Sequence, residues 1–378
     1  MEGWTFHSPV RIMMRDGALD ALGELVPYER VALITTPGFV RRGAAARAER
    51  SLGGRLVSVL DVVSPNPDMD DIDGHRELFR QGDPQALIAL GGGSAIDTAK
   101  AAARLMSTEV TLSENLRGGR EFRCARRIPI IAIPTTSGTG SEVTPFATIW
   151  DRKARRKRSI EGADLLPETA LLDPTLTLGL PKDATVSTGL DAVSHSLESA
   201  WSRRAGPMST ALAVGSLRLS LDSLPRLARD LDDLDARRSM MTASTMAGLA
   251  IAQTRTALAH SISYPLTAEL DVPHGLACGF ALPEVLEFNA GSDDGRLERL
   301  SRELGYPSVE GLKEALEHLL DVTGADRMMR ELVGDPREVL NRRDRMMDGS
   351  RASNNLRPAS ASDLEGILSA WARRSARE

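Results

Sequence analysis

At 378 residues the chain exceeds what one hydrophobic core usually organises, so two domains are expected. Its composition (42% hydrophobic, 26% charged) suits a globular protein in water, and a net charge of −5 gives no broad basic field for nucleic acid or an anionic membrane. No apolar run approaches the ~20 residues of a membrane-spanning helix, the N-terminal M-E-G-W-T-F-H-S-P-V lacks a secretory pattern, and Cys124 and Cys278 are too few for a disulfide framework; a cytoplasmic location is expected.

Along the first half, short apolar runs rich in β-branched residues alternate with helical stretches. Strands are predicted at 30–36, 55–60, 86–90 and 128–134, with helices around 39–52, 70–82 and 95–107. That alternation predicts a Rossmann-like α/β domain with a parallel sheet covered on both faces. After Pro181 the sequence turns to Ala, Leu, Met, Ser and Arg with helical periodicity over 184–202, 208–229 and 235–264, which reads as an all-α helical bundle. The polar stretch 351–362 reads as a loop before a last helix, 362–374, capped by Ser362 or Asp363. The predicted division is therefore 1–180 and 181–378.

Two polar loops follow predicted strands. In the first, Gly91, Gly92, Gly93 and Ser94 open a helix, where small residues let the backbone approach a phosphate and free N–H groups favour an anion. The spacing is not G-x-G-x-x-G, so by itself it is a weak dinucleotide signal. Asp97, one turn further on, suits the start of a helix. The second loop carries Thr135, Thr136, Ser137, Thr139 and Ser141, whose hydroxyls can line a nucleotide site. The basic run 152–158, which includes Lys157, reads by default as a solvated turn.

The densest chemistry lies further along. D-A-V-S-H places Asp191 and His195 at i,i+4, on one face of a helix. His260 and His274 flank Pro265 and Pro273, which argue against one continuous helix. His260 is therefore expected near one helix end and His274 at the start of the next. The chain has six histidines, and three fall at these places. One carboxylate and three imidazoles suit a borderline divalent cation such as Fe(II) or Zn(II). Cys278, four residues beyond His274, reads as a small core residue rather than a ligand.

D-x3-H followed by H-x13-H, with the last histidine in P-H-G, resembles the metal site of the iron-containing alcohol dehydrogenases. The resemblance spans nearly the whole chain: P-N-P at 65–67, G-G-G-S-A-I-D-T-A-K at 91–100, P-T-T-S-G-T-G-S-E-V-T at 134–144 and D-P-T-L-T-L-G-L-P at 173–181. N-N-L-R-P at 354–358 lies near the family's usual C-terminal Asn-Pro-Arg segment without matching it. The resemblance implies a dehydroquinate synthase-like α/β domain, and Fe(II) as the favoured metal with Zn(II) the alternative. It assigns Asn66, the 91–94 loop and the 135–141 loop to the cofactor, and places Asp97 near the nicotinamide end and Lys157 close by. It also implies a small aldehyde or alcohol as substrate and a homodimer or larger homo-oligomer.

Three departures narrow the expectation. NAD-preferring relatives often carry an acidic residue after the second strand; here Pro37 and Gly38 stand there, followed by Arg41 and Arg42. NADP(H) is therefore expected, with NAD(H) the alternative. Many relatives have a second histidine four residues after the third ligand, and this chain has Tyr264, a hydrogen-bond donor but a poor base at neutral pH. A-Q-T-R-T-A-L-A-H-S-I-S-Y-P-L-T resembles a subgroup interconverting phosphonoacetaldehyde and 2-hydroxyethylphosphonate, with Arg255 as the anion clamp. The rival readings are a dehydroquinate-synthase-like lyase, whose Glu and two histidines D-A-V-S-H does not match, a glycerol or glycerol-phosphate dehydrogenase, and a catalytically silent nucleotide- or metal-binding protein.

Overall fold

The computed structural model describes residues 3–154, 156–347 and 349–376. The chain divides into two compact units. One comprises Ser8–Thr136 and Ser141–Thr177; the other comprises Met1–His7, Ser137–Gly140 and Leu178–Glu378.

The first unit is built on a six-stranded parallel sheet, with β1 (Arg11–Met14), β2 (Val31–Thr35), β3 (Leu56–Leu60), β4 (Ala86–Gly91), β5 (Ile130–Pro134) and β8 (Thr169–Leu172) in the order β1-β8-β5-β4-β2-β3. Every residue of β2, β4 and β5 is buried, as a parallel sheet sandwiched by helices demands. The period of two sorts their side chains into two cores. Ala32, Ile34, Leu87, Ala89, Ile130 and Ala132 face one, with Phe79, Ile96 and Ala99 from covering helices. Val31, Leu33, Ile88, Leu90, Ile131 and Ile133 face the other, with Leu19, Leu22, Ala48 and Leu52.

The four strands read from the sequence are present, and helix α1 (Gly93–Ser107) forms as expected. The helices expected at 39–52 and 70–82 are each broken in two, the first at Gly43, whose φ of +81° ends a turn. Strands β1 and β8 escaped the sequence reading because each is four residues long. A separate antiparallel hairpin, β6 (Phe146–Asp151) with β7 (Arg156–Glu161), was also missed. Its second strand takes in the end of the basic run: 152–154 turn, while Lys157 pairs with Trp150 inside the ladder.

The second unit is helical around one core. Helices α2 (Lys182–Trp201), α3 (Pro207–Arg229) and α4 (Leu234–Thr254) are followed by α5 (Leu258–Leu270) and α6 (His274–Gly279), with α7 (Ala361–Ser375) last among the described residues. Three corrections arise here. Pro265 lies inside α5 and does not end it. Ser360, with Asp363 in a capping box, starts α7, two or three residues before the expected cap. The helix expected over 235–264 stops at Arg255, which adopts φ +66°, ψ 170°.

That break has no glycine or proline to announce it; tertiary partners hold it open. The Asn354 amide donates to the carbonyls of Thr254 (2.8 Å) and Thr256 (3.0 Å), Glu198 accepts from the Ala257 N–H (2.8 Å), and Ser202 donates to Asn354 Oδ1 (2.9 Å). The N-N-L-R-P segment thus fastens the turn that launches α5. Among the described residues no helix is long and apolar enough to cross a membrane. Asn354→Ala should take the Asn354 donor from the Thr254 carbonyl, which keeps Ser202, and from the half-buried Thr256 carbonyl, at about 1–3 kcal/mol in all. We expect the urea midpoint to fall accordingly, and a change below about 0.5 kcal/mol would contradict this account of the break.

Candidate metal centre and cofactor loops

Helix α2 presents Asp191 and His195 on one face, and the same face continues to Glu198, at i+7 from Asp191. The 255–257 break sets the start of α5, so His260 falls in its first turn. His274 opens α6, next to Pro273. Gly275 makes the meeting of α6 with α2 feasible: a Cβ there would run into the Ser187 carbonyl and come within 2.9 Å of the Asp191 Cβ.

These elements bring Asp191, His260 and His274 together inside the helical unit, with His195 packed against Asp191 and His260. Asp191 Oδ1 lies 3.5 Å from Nε2 of His195 and 3.5 Å from Nε2 of His260. The His195 and His260 rings stack at 4.7 Å between centroids, and His274 meets His260 edge-on at 5.4 Å. Two donors held ~2.1 Å from one ion at a tetrahedral angle stand about 3.4 Å apart, close to the carboxylate–imidazole spacing seen here. Asp191 Oδ1 and His260 Nε2 are buried with no hydrogen-bond partner. An oxygen and a nitrogen left so in a protein interior fit a bound cation well and a purely structural role poorly. Asp191, His195 and His260 are at most 5% exposed, while His274 is partly open.

The surroundings point the donors inward. His260 Nδ1 faces Glu198 Oε2 at 2.7 Å, which fixes the tautomer and leaves Nε2 free to bind. Glu198 also accepts from the backbone N–H groups of Ala257 and His260. Burial opposes its charge, but His260 and these donors hold its carboxyl below the usual range. His195 Nδ1 lies 3.3 Å from the Gly138 carbonyl, and a side chain at 138 would collide with Thr188. Burial pulls the His195 pKa down to about 4, so the ring is neutral, as a ligand must be. Burial also penalises the Asp191 charge, yet the three histidines keep its carboxyl well below its ordinary range. Glu198 was missed by sequence reasoning, although its i,i+4,i+7 spacing with Asp191 and His195 was a readable signal.

Cys278 is buried, as expected, but it is not merely in the core: its sulfur lies 3.7 Å from both ring nitrogens of His274. Arg255 is not on the helix leading to His260; it ends α4, with its backbone in the left-handed half of conformational space. Tyr264 lies on α5 one turn beyond His260, with the Arg351 guanidinium over its ring at 4.8 Å. Arg351 also donates to Thr256, next to Arg255 in the chain. Sequence reasoning passed over Arg351 as part of a polar loop.

In the α/β unit, Gly91 leaves β4 with φ +155°, where a Cβ would press on Ala95, and Gly92 lies against Thr136. Ser94 is in the first turn of α1. Asp97 accepts from Ser141 Oγ (2.6 Å) and from the Thr148 N–H (2.8 Å), tying α1 to the second loop. Buried Lys100 completes the tie, donating to Ser141 Oγ, the Thr144 hydroxyl and the Thr144 and Phe146 carbonyls. Thr135 is buried and Thr136 partly exposed, while Asn66 is exposed with φ +53°. Ser137 (buried) and Thr139 (partly exposed) belong to the helical unit.

Comparison with known proteins adds independent findings. Residues 9–174 match the family described as iron-containing alcohol dehydrogenase, and residues 185–372 match the C-terminal region of the Fe-containing alcohol dehydrogenase family. The chain is 32% identical over 360 residues to a 4-hydroxybutyrate dehydrogenase of Cupriavidus necator (91% of this chain, 93% of that one). It is 36% identical over 273 residues to a phosphonoacetaldehyde reductase of Streptomyces viridochromogenes (71% of this chain, 69% of that one). Among solved structures it superposes with a TM-score of 0.91 on the sulfoacetaldehyde reductase of Bifidobacterium kashiwanohense in complex with NAD+, at 29% identity and covering 98% of this chain and 99% of that one.

The Glu198 carboxylate gives a direct test of how the centre is held. Glu198→Gln keeps size and shape but weakens the hold on His260, and should lower Zn(II) affinity roughly 10–100-fold. Titration calorimetry against the unaltered protein measures it, and an unchanged affinity would show that Glu198 is only a packing residue.

Proposed function

The chain belongs to the iron-containing alcohol dehydrogenase family, and from that premise we propose that it reduces phosphonoacetaldehyde to 2-hydroxyethylphosphonate. That it is an alcohol dehydrogenase or aldehyde reductase follows from the family. The phosphonate is the further step. It rests chiefly on the Arg351 guanidinium, which lies over Tyr264 one turn from His260 and bonds Thr256 beside Arg255. A permanently charged, planar fork there suits a tetrahedral oxyanion, and Arg255 is next to Thr256 in the chain. The relatives named for phosphonoacetaldehyde and sulfoacetaldehyde support the same class of substrate.

In this reading Asp191, His195, His260 and His274 hold one divalent ion, Fe(II) by family and Zn(II) by donor chemistry. The ion supplies a Lewis acid for the substrate oxygen and the nicotinamide supplies the hydride. The protein's own part is positional. Glu198 and the Gly138 carbonyl aim two of the imidazoles, and Arg255 with Arg351 orients the anionic end of the aldehyde. Tyr264 Oη donates a hydrogen bond towards the reacting oxygen, where many relatives have a histidine. The 91–94 loop receives the pyrophosphate at the start of α1, and Asp97 with Lys157 borders the nicotinamide side. We place the adenosine end near Pro37-Gly38, where no carboxylate repels a 2′-phosphate and Arg41 and Arg42 are exposed.

Two measurements test this. With NADPH, kcat/KM should exceed that with NADH; a clear advantage for NADH would mean that the 37–42 turn was misread. Arg255→Ala and Arg351→Ala should each lower kcat/KM for phosphonoacetaldehyde by about 1.5–3 kcal/mol and affect propanal much less. Equal losses on both aldehydes would make the arginines structural and leave an alcohol dehydrogenase of unassigned substrate.

A further inference from the structure

The donor set of this centre is larger than one carboxylate and three imidazoles. Helix α2 offers Asp191 and His195 at i,i+4, and α6 offers His274 and Cys278 at the same spacing. Both pairs project along one helix face, and the helices meet where Gly275 clears Ser187 and Asp191. One donor atom each from Asp191, His260, His274 and Cys278 lies within 4.8 Å of all the others. The sulfur stands 3.7 Å from the His274 nitrogens. A thiolate at ~2.3 Å and an imidazole at ~2.1 Å from a tetrahedral ion would be about 3.6 Å apart. Cys278 is 1% exposed, and the cluster it joins contains the two unpartnered buried atoms, Asp191 Oδ1 and His260 Nε2.

We propose that Cys278 is itself a ligand of this metal centre, an inference that rests on the metal reading above. The thiol proton passes to solvent as the sulfur–metal bond forms, so the bound ligand is the thiolate. A thiolate makes the site softer than its nitrogen and oxygen donors alone, and moves its preference from Fe(II) towards Zn(II) and Co(II).

Co(II) reports the bond without reference to turnover. The full chain carrying Cys124→Ser, which removes the only other cysteine, should bind one Co(II). It should show a near-ultraviolet sulfur-to-cobalt charge-transfer band beside the weaker visible bands. Adding Cys278→Ser, nearly the same size, should abolish the charge-transfer band while Co(II) stays bound. Bound Co(II) with visible bands only, in the protein that retains Cys278, would overturn the inference and leave the histidine–aspartate centre standing. Failure to bind Co(II) at all would overturn both.

Discussion

The helical unit is organised around a cluster that its own side chains do not satisfy. Asp191 Oδ1 and His260 Nε2 are buried and unpartnered, 3.5 Å apart, with two more imidazoles and a thiol against them. A buried polar atom without a partner costs about 1–3 kcal/mol, and an unpaired charge more. A cation bound there would remove those costs, because the same atoms would be its ligands. Several features elsewhere in the unit then make sense as supports: Glu198 and Gly138 fix two rings, Gly275 lets α6 reach α2, and Asn354 holds the turn from which α5 begins. The centre therefore draws on residues from 138 to 354 and cannot be separated from the packing of the bundle.

Much of this was legible in the sequence because the signals were local. The i,i+4 pair Asp191–His195 needs only helical geometry to share a face, and buried strands announce themselves as short apolar runs between turns. What escaped was set by partners distant in sequence. The 254–258 break carries no glycine or proline; its backbone groups are satisfied by Glu198 and Asn354, which a window along the chain does not see. Arg255 was therefore put on the wrong element. Lys157 was taken for turn because seven residues of mostly positive charge hide a strand whose partner is Phe146–Asp151. Cys278 was read as a small core residue and is buried, but a window along the chain does not show that its sulfur stands against His274. In the 135–141 loop the candidate residues were readable as polar, but their division between the two compact units was not.

On the substrate side the chain departs from many of its relatives in a coherent way. A tyrosine replaces the histidine one turn past the third candidate ligand, and a guanidinium from the C-terminal segment covers its ring. The same segment, through Asn354, builds the turn beside Arg255, so the arginines and the ligand helix are positioned together. A base is thereby replaced by a hydrogen-bond donor beneath a positive charge, the change that the proposed anionic aldehyde would ask for.

The central claim is that Asp191, His195, His260 and His274 surround one metal ion. Anomalous scattering from crystals of the protein loaded with Zn(II), recorded on both sides of the zinc edge, tests it most directly. The account predicts one strong peak per chain, ~2.0–2.3 Å from Asp191 and each of the three histidines. No peak there, or the principal peak elsewhere in the chain with the four side chains unliganded, would contradict it.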